Sequence, residues 1–150
     1  MHRRWLTFPF KHRQTYRLGV ALLLLTLQSC QSKKYTFASS AVVPAAEGTI
    51  KVEPEDNGNY EIELQVTNLA EPSRLQPARK LYIVWAQTEK EGNRNIGQLK
   101  MSTGFLSSTL KSSLHSLSPF KPVGFLISAE DNLSVAQPRG PIVLQTATEP

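Results

Sequence analysis

From Gly48 onward apolar and polar residues alternate with the period of two that belongs to a half-buried β-strand. Ile50 and Val52 alternate with polar neighbours up to Pro54, and Tyr60, Ile62, Leu64 and Val66 alternate with Glu61, Glu63, Gln65 and Thr67. Between them Asp56-Asn57-Gly58-Asn59 is turn chemistry, because Asn-Gly readily takes positive φ. The two runs predict a hairpin. Leu81 to Ala86 is β-branched and aromatic with no charge, as expected of a central strand buried on both faces. Glu89 to Asn95 reads as a polar turn and Ile96 to Met101 as a shorter strand. Val123 to Ser128 and Ile142 to Thr146 supply two more strands, separated by the polar, Pro-containing stretch Glu130 to Pro141.

One segment carries two patterns. Leu106, Leu110, Leu114 and Leu117 recur at helical spacing, yet Ser107, Ser108, Thr109, Ser112 and Ser113 between them are poor helix formers. A strand plus loop is expected here, with a short helix as the alternative and the leucines as core candidates either way. Short strands joined by regular turns predict an all-β antiparallel sandwich of about seven strands. Residues 47–148 hold roughly 100 residues, enough for one core and not for two domains.

The first thirty residues follow a different logic. Arg3, Arg4, Lys11, Arg13 and Arg17 precede an apolar run from Leu18 to Leu27 with no acidic residue among them, which is the order of a signal peptide. About ten residues at ~1.5 Å rise make a helix of roughly 15 Å, half of what a membrane span requires. The run closes on Leu27-Gln28-Ser29-Cys30, which resembles the bacterial lipobox, with Gln28 a departure from the small or apolar residue preferred there. The resemblance implies cleavage before Cys30 and lipid, palmitate included, on that cysteine. Arg3-Arg4-Trp5-Leu6 is similar to a twin-arginine signal, but the intervening Lys11, Arg13 and Arg17 favour the general secretory route. Residues 1–29 are thus expected to be a lipoprotein signal peptide and 30–46 a lipidated flexible tether, the alternative being an edge strand from Tyr35-Thr36-Phe37 or Val42-Val43. Gln31-Ser32 lacks the acidic residue linked to inner-membrane retention in enterobacteria. An outer-membrane anchor facing the periplasm is therefore expected.

Charge changes meaning once the leader is removed. The chain has 17 Lys plus Arg against 12 Asp plus Glu, but five of the basic residues precede Cys30 and every acidic residue follows it. The mature protein is neutral, which argues against nucleic acid as a partner. Cys30 is the only cysteine, so the domain has no internal disulfide and no thiolate zinc site.

Candidate chemistry is sparse. His115 is the only histidine after Cys30, has no acid nearby in sequence, and reads as a solvent-facing loop residue rather than a catalyst. Glu53, Glu55 and Asp56 crowd a turn without the alternating ligands of a calcium loop, and Glu130-Asp131-Asn132 likewise reads as turn chemistry. Ser108 stands three residues before Lys111 without the companion motifs of a serine hydrolase. No catalytic residue, metal ligand or cofactor site is expected, and the protein is not read as an enzyme.

With these residues in view, the span from Gly48 to Thr146 resembles the extracytoplasmic domain of anti-sigma-K-type factors. The resemblance rests on Gly48-Thr49-Ile50-Lys51-Val52, the Leu64 to Leu69 strand, Leu81-Tyr82-Ile83-Val84-Trp85, Ile96-Gly97-Gln98-Leu99, and Ile127-Ser128-Ala129-Glu130 followed by Pro138-Arg139-Gly140-Pro141-Ile142-Val143-Leu144. It implies an immunoglobulin-like sandwich with Trp85 as its buried central tryptophan. The family's sigma-binding helical part and transmembrane helix have no counterpart here, so a domain type is implied rather than sigma-factor control. The expected function is a non-enzymatic binding or sensing module of the cell envelope, its partner a protein or small ligand. The alternative is a structural or assembly lipoprotein whose sheet edge augments a partner's.

Overall fold

A computed structural model describes residues 32–102 and 110–147. Nine strands are described: β1 (Lys33–Thr36), β2 (Glu47–Pro54), β3 (Tyr60–Thr67), β4 (Leu81–Thr88), β5 (Gly92–Gln98), β6 (Lys100–Ser102), β7 (Lys111–Ser118), β8 (Pro122–Glu130) and β9 (Ile142–Gln145). A single 3-10 turn at Pro72–Arg74 interrupts the β3–β4 connection. The strands form two antiparallel sheets, β1-β2-β3-β7-β6 and β5-β4-β8-β9.

Period two decides what lies between the sheets. Ile50, Val52, Ile62, Leu64 and Val66 face inward from the first sheet, against Tyr82, Val84, Ala86, Phe125, Ile127 and Leu144 from the second. The expected hairpin forms with Ile50 opposite Leu64 and Val52 opposite Ile62, and Gly58 takes φ 83° at its turn. Setting β1 aside, the strand orders are those of an immunoglobulin-like sandwich with an added strand beside the third. Consecutive strands cross between sheets where that fold requires it.

Nine strands replace the expected seven for two reasons. The segment from Gly92 to Ser102 is divided: β5 pairs with β4, a register shift falls between Val84 and Trp85, and β6 joins β7 in the opposite sheet. Leu99, buried between them, marks the crossing. The second reason is that the alternative of an edge strand near Tyr35-Thr36-Phe37 prevails over a flexible tether in the described part of 30–46. Lys33–Thr36 pairs with β2, Tyr35 is only 8% exposed, and its ring meets Phe125 edge-on at 5.2 Å. The Tyr35 hydroxyl also donates to the Pro122 carbonyl at 3.0 Å. Val43 and Ala46 are buried too. A four-residue strand with one inward side chain is too short for alternation to reveal.

The segment with two patterns is a strand from Lys111 onward, paired with β3 along its length. Leu114 packs on the core, but Leu117 is 55% exposed, so it is not the core residue expected. Leu106 and Ser108 lie outside the described residues. Inward positions Ser116 and Ser118 donate to the carbonyls of Ile96 and Phe120, each at 2.8 Å.

Candidate functional site

Trp85 is fully buried, as expected, but on the other face of its strand. Because Tyr82, Val84 and Ala86 point between the sheets, Ile83 and Trp85 must point away from them. They form a second cluster with Leu126, joined by Leu81 and Val135. The inter-sheet position implied by the resemblance is therefore corrected: Trp85 lies beneath the β8–β9 loop, outside the sandwich interior. The absence of charge from β4 signals two buried faces without saying which one a given residue occupies.

Three side chains tie this loop down. The Trp85 indole Nε1 donates to Ser128 Oγ at 2.8 Å, and Ser128 Oγ donates to Glu130 Oε1 at 2.7 Å. Glu130, only 3% exposed, also accepts the backbone N–H of Arg139 at 2.9 Å and that of Gly140 at 3.0 and 3.1 Å. The carboxylate replaces water with amide and hydroxyl donors, the condition for burying a charged group. Gly140 is required by close approach: a Cβ there would lie 1.7 Å from the Ala129 carbonyl oxygen. The turn is further held by Ala129 N donating to the Pro141 carbonyl at 2.9 Å and by Asn95 Nδ2 donating to the Leu133 carbonyl at 3.1 Å. Held by these donors, the carboxylate latches the β8–β9 loop to the end of β8.

Of Glu130-Asp131-Asn132, only part is the turn chemistry expected. Asn132 Oδ1 accepts from Ser134 N at 2.9 Å, and Asp131 pairs with Arg79 at 2.7 Å. Glu130 is the residue that sequence reasoning missed. Glu130 and Pro138-Arg139-Gly140-Pro141 are among the residues on which the resemblance rests, and they meet here.

His115 stands on β7, not in a loop, and the register brings it beside β3, where its Nε2 lies 2.6 Å from Glu61 Oε1. Both side chains are well exposed, on an outward sheet face. Among the described residues, no group of three or more His, Cys, Asp or Glu is placed to hold a metal ion, and no helix is long and apolar enough to cross a membrane. Glu53 pairs with Lys51 at 2.9 Å, while Glu55 and Asp56 occupy the hairpin tip. Cys30, with the whole of 1–31, lies outside the described residues.

The ends of the sandwich differ. Chain entry at Lys33, the β2–β3 tip, the β4–β5 turn and the β7–β8 turn share one end, as Pro54 opposite Tyr60, Tyr60 opposite Ser118 and Thr88 opposite Pro122 require. At the far end lie the longer connections 37–46 and 68–80, and the β8–β9 loop starts and finishes there. Between the first two opens a cleft of 510 Å³ lined by Val43, Pro44, Asn68, Ala70, Leu75 and Gln76. Tyr82 supports its floor by donating its hydroxyl to the Ala70 carbonyl at 2.9 Å, and burial pushes that phenol up to about 12. No family model, curated protein or solved structure matches the chain.

Proposed function

We propose that this protein is a lipoprotein of the cell envelope, anchored through Cys30, whose sandwich binds or senses a partner with the loops at its far end. The lipobox-like Leu27-Gln28-Ser29-Cys30 after a basic, then apolar leader supports the anchor, and Gln31-Ser32 supports an outer-membrane position facing the periplasm. The observation that carries the binding role is polarity: the chain enters at one end, and the longest connections with their 510 Å³ cleft open at the other. Loops fixed on a rigid scaffold are where such domains recognise ligands. The role is non-enzymatic, and the likeness to anti-sigma-K-type extracytoplasmic domains fits it as a domain type only.

Two experiments test this reading. Cys30→Ala should abolish palmitate incorporation and membrane fractionation while the domain stays folded; palmitate retained by the variant refutes the anchor. A photo-crosslinking residue placed at Gln76 or Ala45 in cells should give a discrete adduct, whereas one at Asn57 on the hairpin tip should not. Adducts arising only along the edge strand β5 would favour the assembly role by sheet augmentation.

A further inference from the structure

Resting on the reading of Cys30 as the lipidated residue, we infer that the sandwich is seated directly on the bilayer, its entry end against the lipid headgroups and its far end pointing away. The argument is one of reach. β1 begins at Lys33, so only two residues separate it from the cysteine, and the Cα atoms of residues 30 and 33 can be no more than about 11 Å apart. A tether running to Ala46 would have allowed a separation of up to about 55 Å. The headgroup layer on each side of a membrane is itself roughly 5–8 Å thick. β1 is not a segment that peels away freely, since Tyr35 is buried, packs on Phe125 and donates to Pro122.

The neighbouring turns extend beyond the entry point. Lys33 lies opposite Val52, and the strand continues to Pro54 before the Glu55 to Asn59 tip. The tip therefore projects past Lys33 toward the surface that carries the lipid. A cleft of 490 Å³ opens at the same end, lined by Ser32, Lys33, Tyr35, Pro54, Tyr60 and Lys121, and Val123 is exposed beside it.

Charge does not drive this contact. Exposed Lys33, Lys90 and Lys121 are mixed with Glu55, Asp56, Glu89 and Glu91 at this end, so the face has no basic excess to attract anionic lipid. Seating is imposed by covalent reach and is insensitive to salt. It also orients the molecule, because the strands run from the headgroups outward and the cleft between 37–46 and 68–80 faces whatever approaches the membrane.

The test is lysine footprinting on the full lipidated protein, added from outside to phosphatidylcholine vesicles and treated with a membrane-impermeant acylating reagent. Lys90 and Lys121 should react several-fold more slowly than in the soluble Cys30→Ala protein, at low and high salt alike. Lys80, Lys100 and Lys111, away from the entry end, should be unchanged. A flexible Gly/Ser insert of about twenty residues between Gln31 and Ser32, with a mean span of about 25 Å, should restore the reactivity of Lys90 and Lys121. Equal reactivity at both ends without the insert, or protection that survives the insert, overturns the proposal. If the wild-type protein instead carries no lipid and never joins the vesicles, it is the lipoprotein reading that fails, and palmitate incorporation distinguishes the two.

Discussion

The two sheets turn opposite kinds of surface outward. On the β1-β2-β3-β7-β6 sheet the outward residues include Lys51, Glu53, Glu61, Glu63, Gln65, Ser113 and His115, with Leu117 the one large apolar side chain among those opposite β3, all in contact with solvent. On the β5-β4-β8-β9 sheet the corresponding face carries Ile83, Trp85 and Leu126. The first face needs only water. The second must be covered, and the β8–β9 loop covers it with Val135 above the cluster and the Glu130 carboxylate gripping the Arg139 and Gly140 amides. A sandwich with one solvated and one apolar outer face thus has two cores, of which the smaller depends on a loop and its polar latch.

Truncating the apolar face should produce the largest effect. Trp85→Ala is expected to cost about 3 to 5 kcal/mol, read as a fall in denaturation midpoint. Trp85 is the only tryptophan after Cys30, so native emission should be blue-shifted and move to the red on unfolding. Emission matching free tryptophan in water would place Trp85 at the surface and dissolve the contrast between the faces.

Breaking the latch should follow in size. Glu130→Ala leaves the Ser128 hydroxyl and two backbone amides without their acceptor, at a cost of about 2 to 3 kcal/mol. Trp85 emission should shift red in the still-folded variant as the loop lifts. An unchanged midpoint with unchanged emission would show that apolar packing alone holds the loop.

The interior between the sheets offers an internal standard through pH. Burial raises the Tyr82 phenol from 10.0 to about 12, so the unfolded chain loses this proton first. The corresponding stability is complete below pH 10, declines as pH rises toward 12, and is lost above that. Tyr82→Phe should remove this share of the alkaline destabilisation. A phenolate absorbance titration showing every tyrosine ionising together near pH 10 would contradict it.

The smallest effect belongs to the solvated face. His115→Ala breaks an exposed pair with Glu61, and such pairs contribute about 0 to 1 kcal/mol. A loss comparable to that of Trp85→Ala would mean that this face is covered in solution.

Much of the solvated sheet was legible because its strands are amphipathic. The alternation from Tyr60 to Thr67 and the Asn57-Gly58 turn specify a hairpin and its register by local rules alone. β7 was harder to read, since its inward Ser112, Ser116 and Ser118 weaken the alternation while its leucines fall by chance at helical spacing. Ser116 is satisfied by the Ile96 carbonyl twenty residues away, which no local pattern contains, and Ser118 by the Phe120 carbonyl in the turn that follows. At β1 the sequence leaves tether and edge strand both open, because one buried ring in four residues makes no period.

The sequence by itself determined the all-β class, the hairpin, the neutrality of the chain after Cys30 and the requirement that β4 be buried on both sides. Those follow from side-chain period, turn stereochemistry and charge counting, each a property of neighbours along the chain. Only the tertiary structure decided which face of β4 meets the other sheet. A run apolar at every position carries no phase, so Trp85 could be placed only once Tyr82, Val84 and Ala86 had taken the interior. Likewise the role of Glu130 depends on two backbone amides brought to it across the β8–β9 loop, and a carboxylate's burial is set by the donors that reach it in space.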